Sequence, residues 1–313
     1  MRGRLIDLVR ITVSLAGLVA VLLTQDLNQV LQLLTSLDWL PFVISLLLFL
    51  LGSFVRAYRW GSLVWALGIK ASWARLTGLF FVGTFYNLFL PTGLGGDAVK
   101  MYELSREDGD AASAVSSVLV DRFLGLFILL AMALLVLAGS HQLVRRDVRA
   151  VIVIGFFGCL LGVLLLLQRT WIEGWGRRLG LDRLLGRFKI LRQLYGSIHL
   201  YGTAALARAT MASVVWNLIL ILVYYLIGLS VGVDLSIGYY LLFVPVISVL
   251  LVVPSVGGLG IREGATVLLF SRVGVSETQA LALALAYDVL LVASALIGGV
   301  IYIRQGLAGL RRR

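Results

Sequence analysis

Two stretches decide the fold, LTGLFFVGTFYNLFLPTGLGGD at residues 76–97 and YYLLFVPVISVLLVVPSVGGLG at residues 239–260. In each, a long apolar run is interrupted by a proline, Pro91 or Pro254, with a glycine pair a few residues further on. Proline removes a backbone donor and glycine leaves a helix easily, so both stretches expose amide groups that hydrocarbon cannot satisfy. We therefore predict two broken helices or re-entrant hairpins, which are tolerated only against protein or a water-filled cavity.

The rest of the 313-residue chain has the composition of a membrane protein. Sixty per cent of its residues are hydrophobic, 14% are charged, and its mean hydropathy is +1.00. This composition excludes a soluble enzyme and a disordered protein, and the single Cys159 excludes a secreted disulfide scaffold. We predict an all-α polytopic protein with one transmembrane domain over residues 1–313. Its six full spans are expected at residues 6–24, 41–60, 114–138, 150–168, 209–231 and 280–303.

The net charge of +11 is better explained by membrane topology than by nucleic acid. If the first break dips in from the cytoplasmic side and the second from outside, 21 of the 27 Lys and Arg residues face the cytoplasm. Both termini are then cytoplasmic, and we expect the inner membrane of a bacterium or archaeon. No small-residue cleavage site follows the basic start, so the first span is expected to remain as an anchor. The basic stretch 169–208 is expected to form an interfacial elbow on the cytoplasmic face.

The two breaks form a repeated pattern. Pro91 and Pro254 lie 163 residues apart, about half the chain length, and each glycine pair is followed by a charged residue that opens an amphipathic helix. Broken helices at corresponding places in two halves are typical of inverted-repeat transporters, whose site lies between the halves. The alternative is that proline and glycine merely kink ordinary membrane helices.

Polar side chains at membrane depth are the candidate site, because a charge at the centre of a span costs roughly 2.5 to 3.5 kcal/mol on insertion scales. The candidate substrate-binding residues are Arg56, Arg59, Asn87, Asp97, Lys100, Asp121, Arg122, Asn217, Arg262, Glu263 and Asp288. The candidate loop residues at the breaks are Pro91, Gly93, Gly95, Gly96, Pro254, Gly257, Gly258 and Gly260.

These charges also have structural interpretations. Arg56 and Arg59 lie near the end of a span and can extend to the interface, and Asp97 can cap the helix that follows it. The adjacent charges at 121–122 and at 262–263 point to different parts of a helix surface, so ion pairs with other helices are an alternative to ligand binding. Asp288 in the last span can likewise bond to a neighbouring helix instead of a ligand.

Signatures of an enzyme are sparse. The only histidines, His141 and His199, fall in predicted loop or interfacial stretches, so we expect no metal site, no cofactor and no catalytic residue. The Asp108-Gly-Asp110 sequence is expected to be a turn that caps the helix starting at Ala111, rather than a metal-sugar-nucleotide motif. Without a phosphate-binding GxxxxGK[ST] loop, we expect no ATP hydrolysis by this chain.

Four motifs in order resemble the lysylphosphatidylglycerol synthase transmembrane family. They are Arg56-x-x-Arg59-Trp60, the string from Asn87 to Lys100, Asp121-Arg122 with Gly125, and the string from Pro254 to Glu263. The resemblance covers essentially the whole chain. It implies a flippase-like domain that binds or moves a lipid with a charged headgroup. In the multiple peptide resistance factor a soluble aminoacyl-transferase domain follows this region. Here the chain stops at Arg313, shortly after the last span, so we expect a stand-alone member to which that activity is not carried over.

The sequence leaves three hypotheses. The first is a lipid translocase for an anionic phospholipid, an aminoacyl-lipid or a polyprenyl-phosphate-linked glycolipid. The second is a membrane-embedded enzyme acting on a lipid-linked sugar or phosphate. The third is a lipid-binding scaffold for a glycosyltransferase partner. Small-residue runs such as Gly298-Gly299 permit close helix contacts within one chain or in a homo-oligomer.

Overall fold

The computed structural model describes residues 27–89, 95–108, 110–139, 144–167, 196, 200–253 and 255–310, and these residues form helices and turns without strands. The predicted first span at 6–24 and most of the predicted elbow at 169–208 lie outside the described residues. The same is true of Pro91, Gly93, Pro254 and both histidines.

Ten helices are described. They are α1 Leu27–Thr35, α2 Trp39–Ala66, α3 Trp73–Phe89, α4 Gly95–Asp108, α5 Ala111–Gly139, α6 Arg146–Leu167, α7 Thr203–Ser230, α8 Ile237–Leu250, α9 Ile261–Ser271 and α10 Glu277–Leu310.

Four of these helices, α2, α5, α7 and α10, are long and apolar enough to cross a membrane. They coincide with the spans predicted at 41–60, 114–138, 209–231 and 280–303, and α6 covers nearly all of the stretch predicted at 150–168. The described chain is therefore an all-α polytopic membrane protein, as the sequence predicted.

Both predicted breaks are present. The first separates α3 from α4, with 17 and 14 residues, and the second separates α8 from α9, with 14 and 11 residues. All four arms are shorter than the roughly 20 residues that a full crossing needs, which supports re-entrant hairpins over additional spans. In the second break the chain turns at Gly257, Gly258 and Gly260, whose φ angles of 60°, 89° and 80° favour glycine.

The helices pack as two equivalent halves. Each half runs through a long helix, a broken hairpin and a second long helix, namely α2–α5 and α7–α10. The first long helices, α2 and α7, pack against each other at the centre. The first hairpin lies between α5 of its own half and α10 of the other, and the second hairpin lies correspondingly between α10 and α5. With re-entrant hairpins and α6 as a span, α7 runs opposite to α2, which is the arrangement of an inverted repeat.

The first hairpin is closed by very short contacts between its arms. The Gly96 N–H, at the start of α4, donates to Asn87 Oδ1 near the end of α3 at 2.8 Å. The Gly83 carbonyl lies so close to Gly96 that a Cβ there would clash with it. Gly298 of α10 approaches the Phe81 backbone in the same way on the other face of α3. Small residues therefore let the hairpin sit directly against the neighbouring helices.

Candidate functional site

Arg59 and Asp121 form a buried ion pair between α2 and α5. Arg59 donates from Nε to Asp121 Oδ1 at 2.7 Å and from Nη2 to Oδ2 at 2.9 Å, so the pair is bidentate. Gly125, one turn after Asp121, leaves room for the guanidinium, because a Cβ there would lie 2.5 Å from Nη1. Nη1 also lies 3.5 Å from the Ser213 hydroxyl of α7. The two charges neutralise each other, as expected from the alternative that Asp121 forms an ion pair with another helix.

Asp97 lies in the first turn of α4, and two cations approach it. Lys100 Nζ lies 2.7 Å from Asp97 Oδ1, and Arg122 of α5 donates from Nε to Oδ2. Asp97 and Lys100 are buried, whereas the Arg122 side chain is 46% exposed. The ammonium group of Lys100 also lies over the rings of Trp60 and Phe80. This group of three carries one positive charge in excess.

Arg56 is held differently from every other cation of the predicted site. Its guanidinium lies 5.0 Å from the centre of the Phe80 ring and 4.9 Å from that of Trp216, which come from α3 and α7. Among the residues that the structure describes, it has neither a carboxylate nor a hydrogen-bond partner. The ammonium group of Lys100 lies over the same Phe80 ring, so Arg56 belongs to the same cluster.

Aromatic residues cluster at the end of α2 nearest to Arg56. Tyr58, Trp65 and Trp73 pack together where α2 ends and α3 begins, as expected for an interfacial aromatic belt. Arg56 lies nine residues before Trp65, which corresponds to about 14 Å along the helix axis. Arg56 is also only two residues before Tyr58, about 3 Å along the axis, and its guanidinium packs between rings of the neighbouring helices α3 and α7.

The second half contains a corresponding cluster. Arg262, in the first turn of α9, donates from Nη1 to Asp288 of α10 and from Nη2 to the Gly257 carbonyl at 3.0 Å. Its guanidinium also lies 5.4 Å from the centre of the Tyr287 ring. Glu263 is completely buried, and neither of its carboxylate oxygens has a hydrogen-bond partner among the described residues.

The two halves place equivalent charges with reversed signs. The first pairs Asp97, at the start of a hairpin arm, with Arg122 in the long helix that follows, and the second pairs Arg262 with Asp288. Arg122 and Asp288 are each the twelfth residue of their helices. The ion pairs are therefore the same structural contact made in the two repeats, with acid and base exchanged.

The second break lies beside the first hairpin. A Cβ built on Gly257 would lie 3.6 Å from the Asn87 carbonyl oxygen, which places the second break beside the end of α3. Asn217 of α7 donates to the Gly125 carbonyl at 3.3 Å beside the Arg59 pair. The charged residues of the predicted site fall into two clusters, one beside each hairpin. The anion cluster comprises Arg56, Arg59, Asp97, Lys100, Asp121 and Arg122, and the acid cluster comprises Arg262, Glu263 and Asp288.

Sequence reasoning missed the aromatic residues that support both clusters. Phe80 and Trp216 enclose Arg56, and Tyr287 lies on Arg262. Phe49 connects them, with ring-centre distances of 6.0 Å to Trp216 and 5.6 Å to Tyr287. The one signal available was that Tyr287 directly precedes Asp288.

A small cavity lies apart from both clusters. It has a volume of about 170 Å³ and lies between α6, α8 and α9, where Val148, Phe243 and Leu269 form part of its wall. The Arg272–Asp147 ion pair is at the same end of the bundle. Because neither cluster lines this cavity, we do not include it in the candidate site.

The fold and the buried charges define a class of protein: a polytopic helical membrane protein with two broken-hairpin halves and a charged centre. The sequence matches the family described as the lysylphosphatidylglycerol synthase transmembrane region over residues 8–299. The chain therefore belongs to this family. No curated protein and no solved structure matches it significantly.

Proposed function

We propose that the protein is a lipid translocase that moves a lipid with an anionic, phosphate-containing headgroup between the leaflets without hydrolysing ATP. Membership of a lipid-associated membrane family and the polytopic fold support this class of function. We further propose that it acts in the cytoplasmic membrane with both termini inside, as the distribution of Lys and Arg favours. Its lipid tails would remain in the bilayer while the headgroup enters the protein.

The observation that carries the proposal is the charge excess of the anion cluster. Among the described residues, Arg59 and Lys100 are matched by the carboxylates of Asp121 and Asp97, Arg122 also binds Asp97, and Arg56 adds a cation without a carboxylate of its own. Arginine at membrane depth costs roughly 2.5 to 3.5 kcal/mol on insertion scales, and such residues usually pair with one another or mark a pathway. A phosphate headgroup would supply the missing negative charge, and a guanidinium binds phosphate in a planar, bidentate manner.

Within the cluster, Arg56 is the residue we assign to the headgroup. Arg59 is already bound by Asp121 through two hydrogen bonds, and Lys100 is bound by Asp97. The Arg56 guanidinium lies over the rings of Phe80 and Trp216 and makes no hydrogen bond to a described residue, so its N–H groups can donate to a ligand. The aromatic groups come from both halves, so movement of one half against the other would change the environment of Arg56.

The experiment is a flipping assay in proteoliposomes that contain fluorescent phosphatidylglycerol, with a membrane-impermeant quencher added outside. Wild-type protein is expected to expose label from the inner leaflet, and Arg56→Gln is expected to lose this activity. Arg304→Gln is the matched control, because it removes an exposed arginine of α10 that lies outside the cluster. Flipping by the Arg56 variant at the wild-type rate would contradict the site assignment. Retained lipid binding without flipping by wild-type protein would instead favour a scaffold function.

A further inference from the structure

The acid cluster has the opposite charge imbalance to the anion cluster. One cation, Arg262, stands beside two carboxylates, Glu263 and Asp288, which interact with each other. Asp288 uses one oxygen to bind Arg262, while its other oxygen and both Glu263 oxygens are buried without hydrogen-bond partners among the described residues. Fully ionised, this cluster would hold a net negative charge with three unsatisfied carboxylate oxygens, an arrangement that is strongly unfavourable in an apolar interior.

A single proton removes the first problem and reduces the second. It neutralises the excess charge, and it converts one carboxylate into a carboxylic acid that can donate a hydrogen bond to the neighbouring carboxylate. Among the described residues, the side chains around the pair include no second fixed cation. They are Tyr224 of α7 and Tyr287 of α10, while the tyrosines of α8 pack toward Phe243 and Phe270, farther along the hairpin. A proton is therefore the ligand that this cluster fits.

The acid cluster is also physically connected to the anion cluster. The rings of Trp216, Phe49 and Tyr287 form a continuous row, with Arg56 over the first and Arg262 beside the last. Tyr287 interacts electrostatically with both arginines. The electrostatic potential of a negative charge beside Arg56 therefore reaches the acid cluster with little screening, because the region between them is tightly packed and has a low dielectric constant.

From this geometry we infer that Glu263 and Asp288 together bind one exchangeable proton, and that the proton is bound and released together with the anionic headgroup. This inference rests on the proposed function and adds an energy source to it, because the proton gradient would then drive net lipid movement. The sign follows from linkage: an anion near Arg56 stabilises the protonated acid pair, and protonation reciprocally strengthens anion binding. Proton and headgroup are expected to move in the same direction.

The test measures proton uptake when dioctanoyl phosphatidylglycerol is added to the purified protein in weakly buffered detergent solution. Its phosphodiester does not itself titrate near neutral pH. Wild-type protein is expected to take up as much as one proton for each lipid that it binds. Its affinity for the lipid is expected to fall as the pH rises, by at most about tenfold per pH unit for a one-proton linkage. Glu263→Gln is expected to bind lipid without proton uptake and without that pH dependence. Asp147→Asn, which changes an exposed carboxylate, should behave as wild type.

The two proposals fail in distinguishable ways. Binding by wild-type protein that is independent of pH and releases or takes up no proton would overturn proton coupling and leave the lipid site intact. Proton uptake that persists in Glu263→Gln would overturn the assignment to this acid pair. Absence of any lipid binding by wild-type protein would overturn the proposed function itself. In proteoliposomes, a pH gradient should bias wild-type flipping toward the alkaline side, whereas Glu263→Gln should equilibrate the lipid without bias.

Discussion

Removing Asp121 is expected to destabilise the protein strongly, because it leaves Arg59 buried without its counter-ion. The two hydrogen bonds from Arg59, at 2.7 and 2.9 Å, would be lost, and the Ser213 hydroxyl at 3.5 Å is too distant to replace them. Breaking a buried ion pair by removing one partner typically costs about 3–5 kcal/mol. We therefore expect Asp121→Ala to lower the free energy of unfolding by that amount.

The double variant Arg59→Met, Asp121→Leu separates the charge from the packing. Replacing both partners of a buried ion pair with apolar residues of similar size is often neutral or stabilising, so the double variant should recover most of the loss. Glu103→Ala is the matched control, because Glu103 pairs with Arg75 at 2.9 Å on a partly exposed surface. Such a pair contributes about 0–1 kcal/mol.

The assay is reversible unfolding in mixed micelles with increasing SDS, followed by tryptophan fluorescence. If Asp121→Ala is no less stable than Glu103→Ala, or if the double variant is as unstable as the single variant, then Arg59–Asp121 is not a structural ion pair. Arg59 would then have to be reconsidered as a residue that binds the headgroup.

Three further variants test the first hairpin and its neighbour. Asn87→Ala should cost about 1 kcal/mol in the same assay, because it removes the side chain that accepts from the start of α4. Gly96→Ala should destabilise the protein by at least as much, since its methyl group would meet the Gly83 carbonyl, and unchanged stability would contradict the close contact. Asp110→Ala should remove the cap of α5. A hydrogen bond from Ser113 lowers the Asp110 pKa, so its stabilisation is present above its ordinary pKa and lost as the pH falls through the lowered value. The Asp110→Ala deficit should therefore shrink in acid.

The architecture was predictable because its signals are local in sequence. Runs of apolar residues gave the long helices, and the proline–glycine pairs gave both breaks, since hydrocarbon leaves a broken helix few alternatives. The cap by Asp110 is confirmed for the same reason: a carboxylate just before Ala111 reaches the first free N–H groups directly.

The partners of the deep charges were not predictable from local sequence. Asp121 and Arg122 are neighbours, but successive residues point about 100° apart around a helix. One consequently meets Arg59 of α2 and the other meets Asp97 of α4. Which helix lies on which side is decided by the packing of the two halves, and one sequence does not contain that information. The role of aromatic residues such as Trp216 was not predictable for another reason, because aromatic residues also serve as ordinary packing residues in membrane helices.

The reversal of charge between the halves argues that the two clusters have different tasks. For stability alone, a balanced ion pair in each half would suffice, and the contacts Asp97–Arg122 and Arg262–Asp288 already provide it. Beyond these pairs, the first half adds two positive charges, Arg56 and Lys100, and the second half adds one negative charge, Glu263. These additional charges increase the cost of burial. An anion beside Arg56 and a proton on Glu263 or Asp288 would each reduce that cost, and they would do so together. A site occupied by both is therefore closer to neutral than a site occupied by either one, which is the condition for moving an anionic headgroup through an apolar interior.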